Sequence, residues 1–318
     1  MIARYDARID RAFRRWLAVA LPAPLRAVAL TLPHHIGLAG SPRWRSWRGV
    51  FRSPLMRSLP GLVAEAFPAV RGVRLEQLGL AHILLAFVAF VDDRLNDAQT
   101  AFTREAYLVR RSMEAEAEAQ LTAAVGARAE FWCIAQQMFE RYTAAHAREA
   151  RRWSGAPCRD NHIRCADEAA GKIAIAQLPA VAAALIGGAS RVEIARLTAA
   201  FDHCFVALQY TDDVADWEDD FSGNRWTYFV RRHLRPSEAR GRRAATVTQL
   251  KRRIASGSAP EEFLARAVWH YDAALEATRG LALPTLRAWI EACRDAAQAD
   301  AAARRQPLVE ALRQVWRS

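Results

Sequence analysis

Two stretches of this chain gather more carboxylates than a helix holds comfortably. The segment Gln209-Tyr210-Thr211-Asp212-Asp213-Val214-Ala215-Asp216-Trp217-Glu218-Asp219-Asp220 places Asp212, Asp216 and Asp220 one turn apart. At about 100° per residue they fall within roughly 80° of arc on one helix face. Like charges at i,i+4 repel, and at the C-terminal end of a helix they also oppose the macrodipole, so a positive partner is required. Hard carboxylate oxygens point to magnesium, which keeps some of its waters and shares its coordination with phosphate groups. The competing reading is a solvated acidic helix end paired with lysine or arginine. It is disfavoured because the cluster follows an apolar stripe, Leu197, Phe201, Phe205 and Leu208.

The second stretch, Phe90-Val91-Asp92-Asp93-Arg94-Leu95-Asn96-Asp97, pairs Asp93 with Asp97 and Asp92 with Asn96 at i,i+4. Alone it reads equally well as an ordinary helix end, since Asp and Asn favour termini. Its weight comes from repetition: both clusters end apolar helices, and antiparallel packing of two such helices would turn them toward one cavity.

The elements that must position these groups are helical. An apolar helix over about Leu75 to Arg94 carries Leu80, Ile83, Leu84, Phe87, Val88 and Val91 into the first cluster. Polar helices follow over Arg104 to Leu121 and Ala127 to Trp153. After a Gly155–Pro157 break comes a buried apolar run, Ile173 to Ala189, too short and too interrupted by Gln177, Pro179 and Gly187-Gly188 to span a membrane. A single long helix over Arg191 to Asp220 carries the second cluster, and a loop is expected at Ser256 to Pro260. Residues 1–50 form a basic, proline- and tryptophan-rich helical layer, and residues 51–318 the main domain.

The composition agrees. In 318 residues, 52% are apolar and the sequence is rich in helix formers, so an all-α fold is expected. The net charge of +11 suits an anionic partner. Five cysteines, Cys133, Cys158, Cys165, Cys204 and Cys293, are odd in number and unclustered, which argues against a disulfide framework or a zinc site and for a cytoplasmic home. The N-terminus is read as an amphipathic helix instead of a removed signal, because Asp6 and Asp10 precede the apolar stretch and prolines interrupt it. No glycine-rich nucleotide loop, nucleophile elbow or HExxH motif is present.

In kind and order these segments resemble those of the class I isoprenoid synthases, the superfamily of trans-prenyltransferases and class I terpene cyclases. The first cluster is similar to the DDxx(x)D motif. The second is similar both to the prenyltransferase QxxDDxxD motif, through Gln209, Asp212, Asp213 and Asp216, and to the cyclase triad, through Asp212, Asp216 and Asp220. Gly171-Lys172-Ile173-Ala174 resembles the G-K-T-A segment whose lysine contacts diphosphate. Gly223-Asn224-Arg225-Trp226-Thr227-Tyr228 resembles the basic stretch beyond the second motif. The resemblance spans about Arg57 to Val230. It implies an all-α, single-domain isoprenoid synthase-type bundle with a central active-site cavity, and three magnesium ions assembled with a substrate diphosphate on Asp92, Asp93, Asp97, Asp212, Asp213, Asp216 and Asp220. Lys172 and Arg225 would stabilise the departing diphosphate. Phe87, Val88, Gln209 and Tyr228 would contact substrate, although core packing is the commoner fate of a residue like Phe87.

Departures from the pattern bear on the reaction. Chain-elongating transferases carry a GGKRxRP segment and an arginine pair after the first motif, which together hold isopentenyl diphosphate. Here Ser53-Pro54-Leu55-Met56-Arg57-Ser58-Leu59-Pro60 and Ala98-Gln99-Thr100-Ala101 stand in those places. The expectation is therefore a terpene synthase that ionises and cyclises or rearranges one C15 or C20 prenyl diphosphate and releases pyrophosphate. A trans-prenyltransferase is the alternative, and an enzyme of the squalene synthase type a lesser one. A basic nucleic-acid binder is the remote alternative, resting on Arg43 to Arg52 with interleaved Trp44 and Trp47. Phosphate-repelling aspartates argue against nucleic acid as a partner. Besides the substrate, the expected partners are a second copy of the chain, as a homodimer, and a membrane surface touched peripherally by the N-terminus. His146, Glu149 and Trp153 share a helical spacing, with only a weak case for a metal or general-base role at His146.

Overall fold

The computed structural model describes residues 2–97, 99–101, 103–153, 162–235, 238 and 245–315, with side chains for all of these except 2, 152–153, 162 and 306–315. Ala98, Cys158, the Gly155–Pro157 break and the Trp153 side chain lie outside them. Among the described residues there are helices and no strands. The chain divides into two compact units: residues 1–146, 171–198 and 280–286, and residues 147–170, 199–279 and 287–318.

In the first unit, α1 (Ile2–Ala20), α2 (Ala23–His35), α3 (Pro54–Val63), α4 (Gly72–Asn96), α5 (Arg104–Val125), the first part of α6 (Ala129–Trp153) and α8 (Ala174–Ile186) pack together; α7 (His162–Lys172) contributes only its last two residues. The central element is α4, which is buried without interruption from Leu78 to Ala89 and packs on α3, α5 and α8. It is long and apolar enough to cross a membrane, yet 72% of its most apolar window is buried inside the unit, as expected of a core helix. Helix α8 is buried from Ala174 to Leu185, so these two helices satisfy each other. His82 of α4 hydrogen-bonds through Nδ1 to Ala176 O at 2.8 Å, and burial pushes its pKa down to about 4, keeping the ring neutral.

Helix α1 is held by a buried carboxylate. Asp6 accepts hydrogen bonds from Arg48 Nε at 2.7 Å, Arg57 Nε at 3.0 Å and Ser58 Oγ at 2.8 Å, which satisfies a charge that burial would otherwise penalise heavily. Gly79 admits α1 to α4: a Cβ there would lie 2.3 Å from Ile9 Cδ1 and 2.5 Å from Tyr5 Oη. Phe13, Trp16, Trp44, Trp47 and Phe51 form an aromatic cluster beneath α1, with centroid separations of 4.8 to 5.8 Å.

The second unit holds most of α7 and of α9 (Arg191–Ala215), together with α10 (Trp217–Ser222), α11 (Tyr228–His233), α12 (Val247–Ala255), α13 (Ala259–Ala277) and most of α14 (Pro284–Val315). Its core is aromatic: Tyr210, Phe229 and Tyr228 all contact Phe263. Thr246 and Gln249 form a reciprocal capping box that starts α12, and Thr227 caps α11.

The expected single helix from Arg191 to Asp220 is instead two, broken at Asp216, whose φ/ψ of −114°/14° leaves the helical range. The turn spacing survives the break, because Asp216 N still bonds Asp212 O and Asp220 N still bonds Asp216 O, both at 3.0 Å. The apolar run expected over Ile173 to Ala189 shortens to Ala174–Ile186, since Gly187 and Gly188 end it.

Candidate active site

In the first unit, the C-terminal turn of α4 presents the first aspartate cluster, with Asp97 as the cap residue bonded through its N–H to Asp93 O at 2.9 Å. Each of the two leading aspartates faces a cation. Lys172 donates from Nζ to Asp93 Oδ1 at 2.9 Å. Burial raises the Asp93 pKa, but the charge and hydrogen bond of Lys172, with smaller contributions from His146 and Arg94, outweigh it and hold the carboxyl below its ordinary range. Gly171 makes that reach feasible: a Cβ at this position would sit 2.7 Å from Ala145 Cβ and 3.2 Å from Arg141 O, so only glycine lets the chain before Lys172 lie this close to α6.

Asp92 is gripped by groups that no spacing within a single helix singles out. Arg110 of α5 donates Nε to Oδ1 at 2.9 Å and Nη2 to Oδ2 at 2.5 Å, and Tyr142 of α6 donates its hydroxyl to Oδ2 at 2.5 Å. Arg110 is fixed in turn by Glu114, one turn along α5, at 2.7 Å. Burial raises the Tyr142 pKa, and the negative Asp92 raises it further, so this hydroxyl remains a donor. Asn96 Nδ2 lies 2.7 Å from His146 Nδ1, whose ring meets Tyr142 edge-on. His146 is thus part of a polar network around the cluster.

Phe87 and Val88 are fully buried, and the Phe87 ring meets Trp47 edge-on at 6.0 Å. Arg57, the remnant of the expected cationic segment, spends its guanidinium on Asp6 and on Phe51 O.

In the second unit, Asp213 and Asp220 are buried, Asp216 is half-buried and Asp212 is exposed. Gln209 donates from Nε2 to Asp213 Oδ1 at 2.6 Å, one turn along α9. Arg225 donates from Nε to Asp220 Oδ1 at 2.8 Å. The local chain is built for that return: Asn224 takes a left-handed φ of 55°, and a Cβ on Gly223 would fall 2.3 Å from Arg225 Nη1. Tyr228 stacks on Phe263 with ring centroids 5.3 Å apart.

Asp216 carries the clearest electrostatic signature. Its Oδ1 is buried without a hydrogen-bond partner. Burial, followed by repulsion from Asp212, Asp220 and Asp213, pushes its pKa up to about 7 despite the opposing pull of Arg225. An orphaned carboxylate oxygen among like charges is what a divalent cation with hard oxygen preference would satisfy, so the donor set fits magnesium.

The chain has the all-α isoprenoid synthase fold. It superposes on a decaprenyl diphosphate synthase from Rhodobacter capsulatus with a TM-score of 0.72 and 15% identity, covering 93% of this chain and 97% of that one. A heptaprenyl diphosphate synthase from Staphylococcus aureus gives 0.67 and 13%, covering 92% and 96%, and a polyprenyl synthetase from Streptomyces coelicolor gives 0.65 and 15%, covering 93% and 98%. No protein-family model and no curated protein matches the sequence.

Proposed function

We propose that this chain is a magnesium-dependent enzyme acting on prenyl diphosphates, and that its reaction is of the trans-prenyltransferase kind. The observation that carries the metal and diphosphate chemistry is Asp216, with an orphaned oxygen and a raised pKa among three further aspartates, in a chain of the isoprenoid synthase fold. The transferase reading is supported by the structural neighbours, which are polyprenyl diphosphate synthases matched over more than nine-tenths of this chain. It takes precedence over the terpene synthase expected from the motif departures alone.

In this reading Asp92, Asp93 and Asp97 of the first unit and Asp212, Asp213, Asp216 and Asp220 of the second are the residues that would hold magnesium, which would supply Lewis-acid stabilisation of the diphosphate oxygens. Lys172 in the first unit and Arg225 in the second, each oriented by a carboxylate, Asp93 and Asp220 respectively, are the cations this reading assigns to the negative charge of the leaving group. Gln209 orients Asp213 through its amide hydrogen bond.

The second reading, cyclisation of one prenyl diphosphate, is favoured by a specific observation. Arg57 is consumed by Asp6, and Gln99, where an arginine would stand, accepts a hydrogen bond from Arg94. Labelled isopentenyl diphosphate, offered with magnesium and allylic diphosphates of ten to twenty carbons (chain lengths set by isoprene chemistry, about five carbons per unit), separates the two. Incorporation into a longer prenyl diphosphate supports the transferase. Release of pyrophosphate with a cyclic product and no incorporation would replace it by the cyclase.

A further inference from the structure

The positive charge of this protein is concentrated at one end of the sequence. Residues 1–74 contain thirteen arginines, no lysine and three acidic residues, and so carry ten of the chain's eleven net charges. Two of those acids are turned to structural use within the first unit: Asp6 is buried under Arg48 and Arg57, and Asp10 accepts the Trp47 N–H at 2.8 Å. On α1 the spacing 4, 8, 11, 15 sets Arg4, Arg8, Arg11 and Arg15 within roughly 60° of arc, and all four are exposed. Only Arg15 has an acidic neighbour, Glu76 at 3.8 Å, while Arg4, Arg8 and Arg11 form no ion pair among the described residues.

The stripe leads to apolar surface. Val19, next along the same face, is 84% exposed, and Val73, at the start of α4 between exposed Arg71 and Arg74, is 73% exposed. Both line an open groove of about 440 Å³, shared with Trp16 and Leu80 and with acidic Glu76 and Glu116. Exposed valines flanked by unpaired arginines suit a surface that is anionic outside and apolar just beneath, which is the profile of a bilayer containing acidic lipids. A surface for single-stranded nucleic acid would add flat aromatic faces among the arginines. Of the two tryptophans that suggested one, Trp47 is 2% exposed, and Trp44 is half-buried, with its indole N–H given to Leu30 O at 2.7 Å, its ring packed on Phe13 and Trp47, and Arg14 lying over it at 5.9 Å.

We infer that the outer face of α1, with the α4 start, docks this protein on anionic membrane, arginines at the headgroups and Val19 and Val73 in the interface. The inference does not depend on the prenyl diphosphate reading, because none of these residues belongs to the aspartate clusters.

The test is co-sedimentation of the full chain with vesicles of phosphatidylcholine alone or mixed with phosphatidylglycerol, alongside binding to single- and double-stranded oligonucleotides. The expected result is binding to the mixed vesicles only, weakening with added salt, and falling about fivefold for each arginine removed in R4Q, R8Q and R11Q variants. V19S, a change at an exposed site outside the core, should weaken vesicle binding without altering the circular dichroism spectrum. Equal binding to neutral vesicles, retention by the triple glutamine variant, or oligonucleotide binding that the vesicles fail to compete would each overturn the assignment.

Discussion

Arg110 and Asp92 form two parallel hydrogen bonds, 2.9 and 2.5 Å long, that join α5 to the last turns of α4. The guanidinium fork fixes the plane of the carboxylate as well as its position, and Tyr142 closes one side. This is a rigid support for the cluster, assembled from residues 18 and 50 positions away in the sequence. Substituting Arg110 by alanine leaves a partly buried carboxylate with the tyrosine as its remaining donor. It should cost roughly 1–3 kcal/mol in chemical denaturation. On the magnesium reading proposed above, activity should drop about 10–100-fold, the usual effect of removing a group that orients a metal-holding side chain. Lysine at 110 cannot reproduce the bidentate geometry and should recover little of it. Wild-type stability and activity in R110A would show that the pair has no supporting role.

A second expectation follows from the pKa of Asp216, raised to about 7 by burial and its three aspartate neighbours. An unfolded aspartate titrates near 3.8, so between about pH 4 and pH 7 the folded metal-free protein binds a proton that the unfolded chain does not. Stability from this group is therefore present at low pH and lost as pH rises through that window. The proton belongs to the coupled cluster, but substituting its most perturbed member should remove most of the effect. D216N is expected to melt above wild type at pH 8 and close to it at pH 5, in the absence of divalent ions. Parallel melting curves at both pH values would count against a shared proton.

Magnesium should compete with that proton. Calorimetric titration of magnesium pyrophosphate near pH 7, in buffers of different ionisation enthalpy, is expected to reveal proton release on binding. Pyrophosphate with magnesium should also raise the melting temperature more than magnesium alone, because magnesium in general favours coordination shared between phosphate and protein oxygens. D212A, at an exposed position, is expected to lose both the extra stabilisation and turnover while keeping the helical circular dichroism spectrum. Full activity in D212A would remove the second cluster from the chemistry.

Both clusters and the helices that carry them were legible because their signals are local. Apolar periodicity marks α4 and α9, and repelling carboxylates mark the helix ends. The break at Asp216 was hidden, since the i to i−4 bonds of Asp216 and Asp220 continue through it and only the dihedral angles change. Arg110 and Tyr142 were hidden for another reason: their partner is fixed by how α4, α5 and α6 pack, which no spacing within one helix encodes. Trp44 and Trp47 misled in the same way. Flanking arginines suggest an outward, stacking role, whereas the Trp47 ring is buried beneath α1 and the half-buried Trp44 packs on Phe13 and Trp47.

Gly171 offers the sharpest test of how the fold serves the site. A methyl group there would lie 2.7 Å from Ala145 Cβ and 3.2 Å from the Arg141 carbonyl oxygen, and neither neighbour can rotate away, since one is a Cβ and the other is backbone. The chain around residue 171 must therefore retreat from α6, at an overpacking cost of about 1–3 kcal/mol. Lys172, the next residue, would retreat with it and loosen its 2.9 Å contact with Asp93. That carboxyl is now held low chiefly by Lys172 against the cost of burial, so its pKa should rise in G171A. Activity should then fall more steeply on the acid side of its pH profile than in wild type, beyond a uniform loss from lower stability. The pairing of G171A with A145G decides between the two effects. Glycine at 145 removes the colliding methyl, so restored stability together with a restored acid limb would tie the Lys172 position to this packing contact, whereas restored stability with an unrestored pH profile would refute the link.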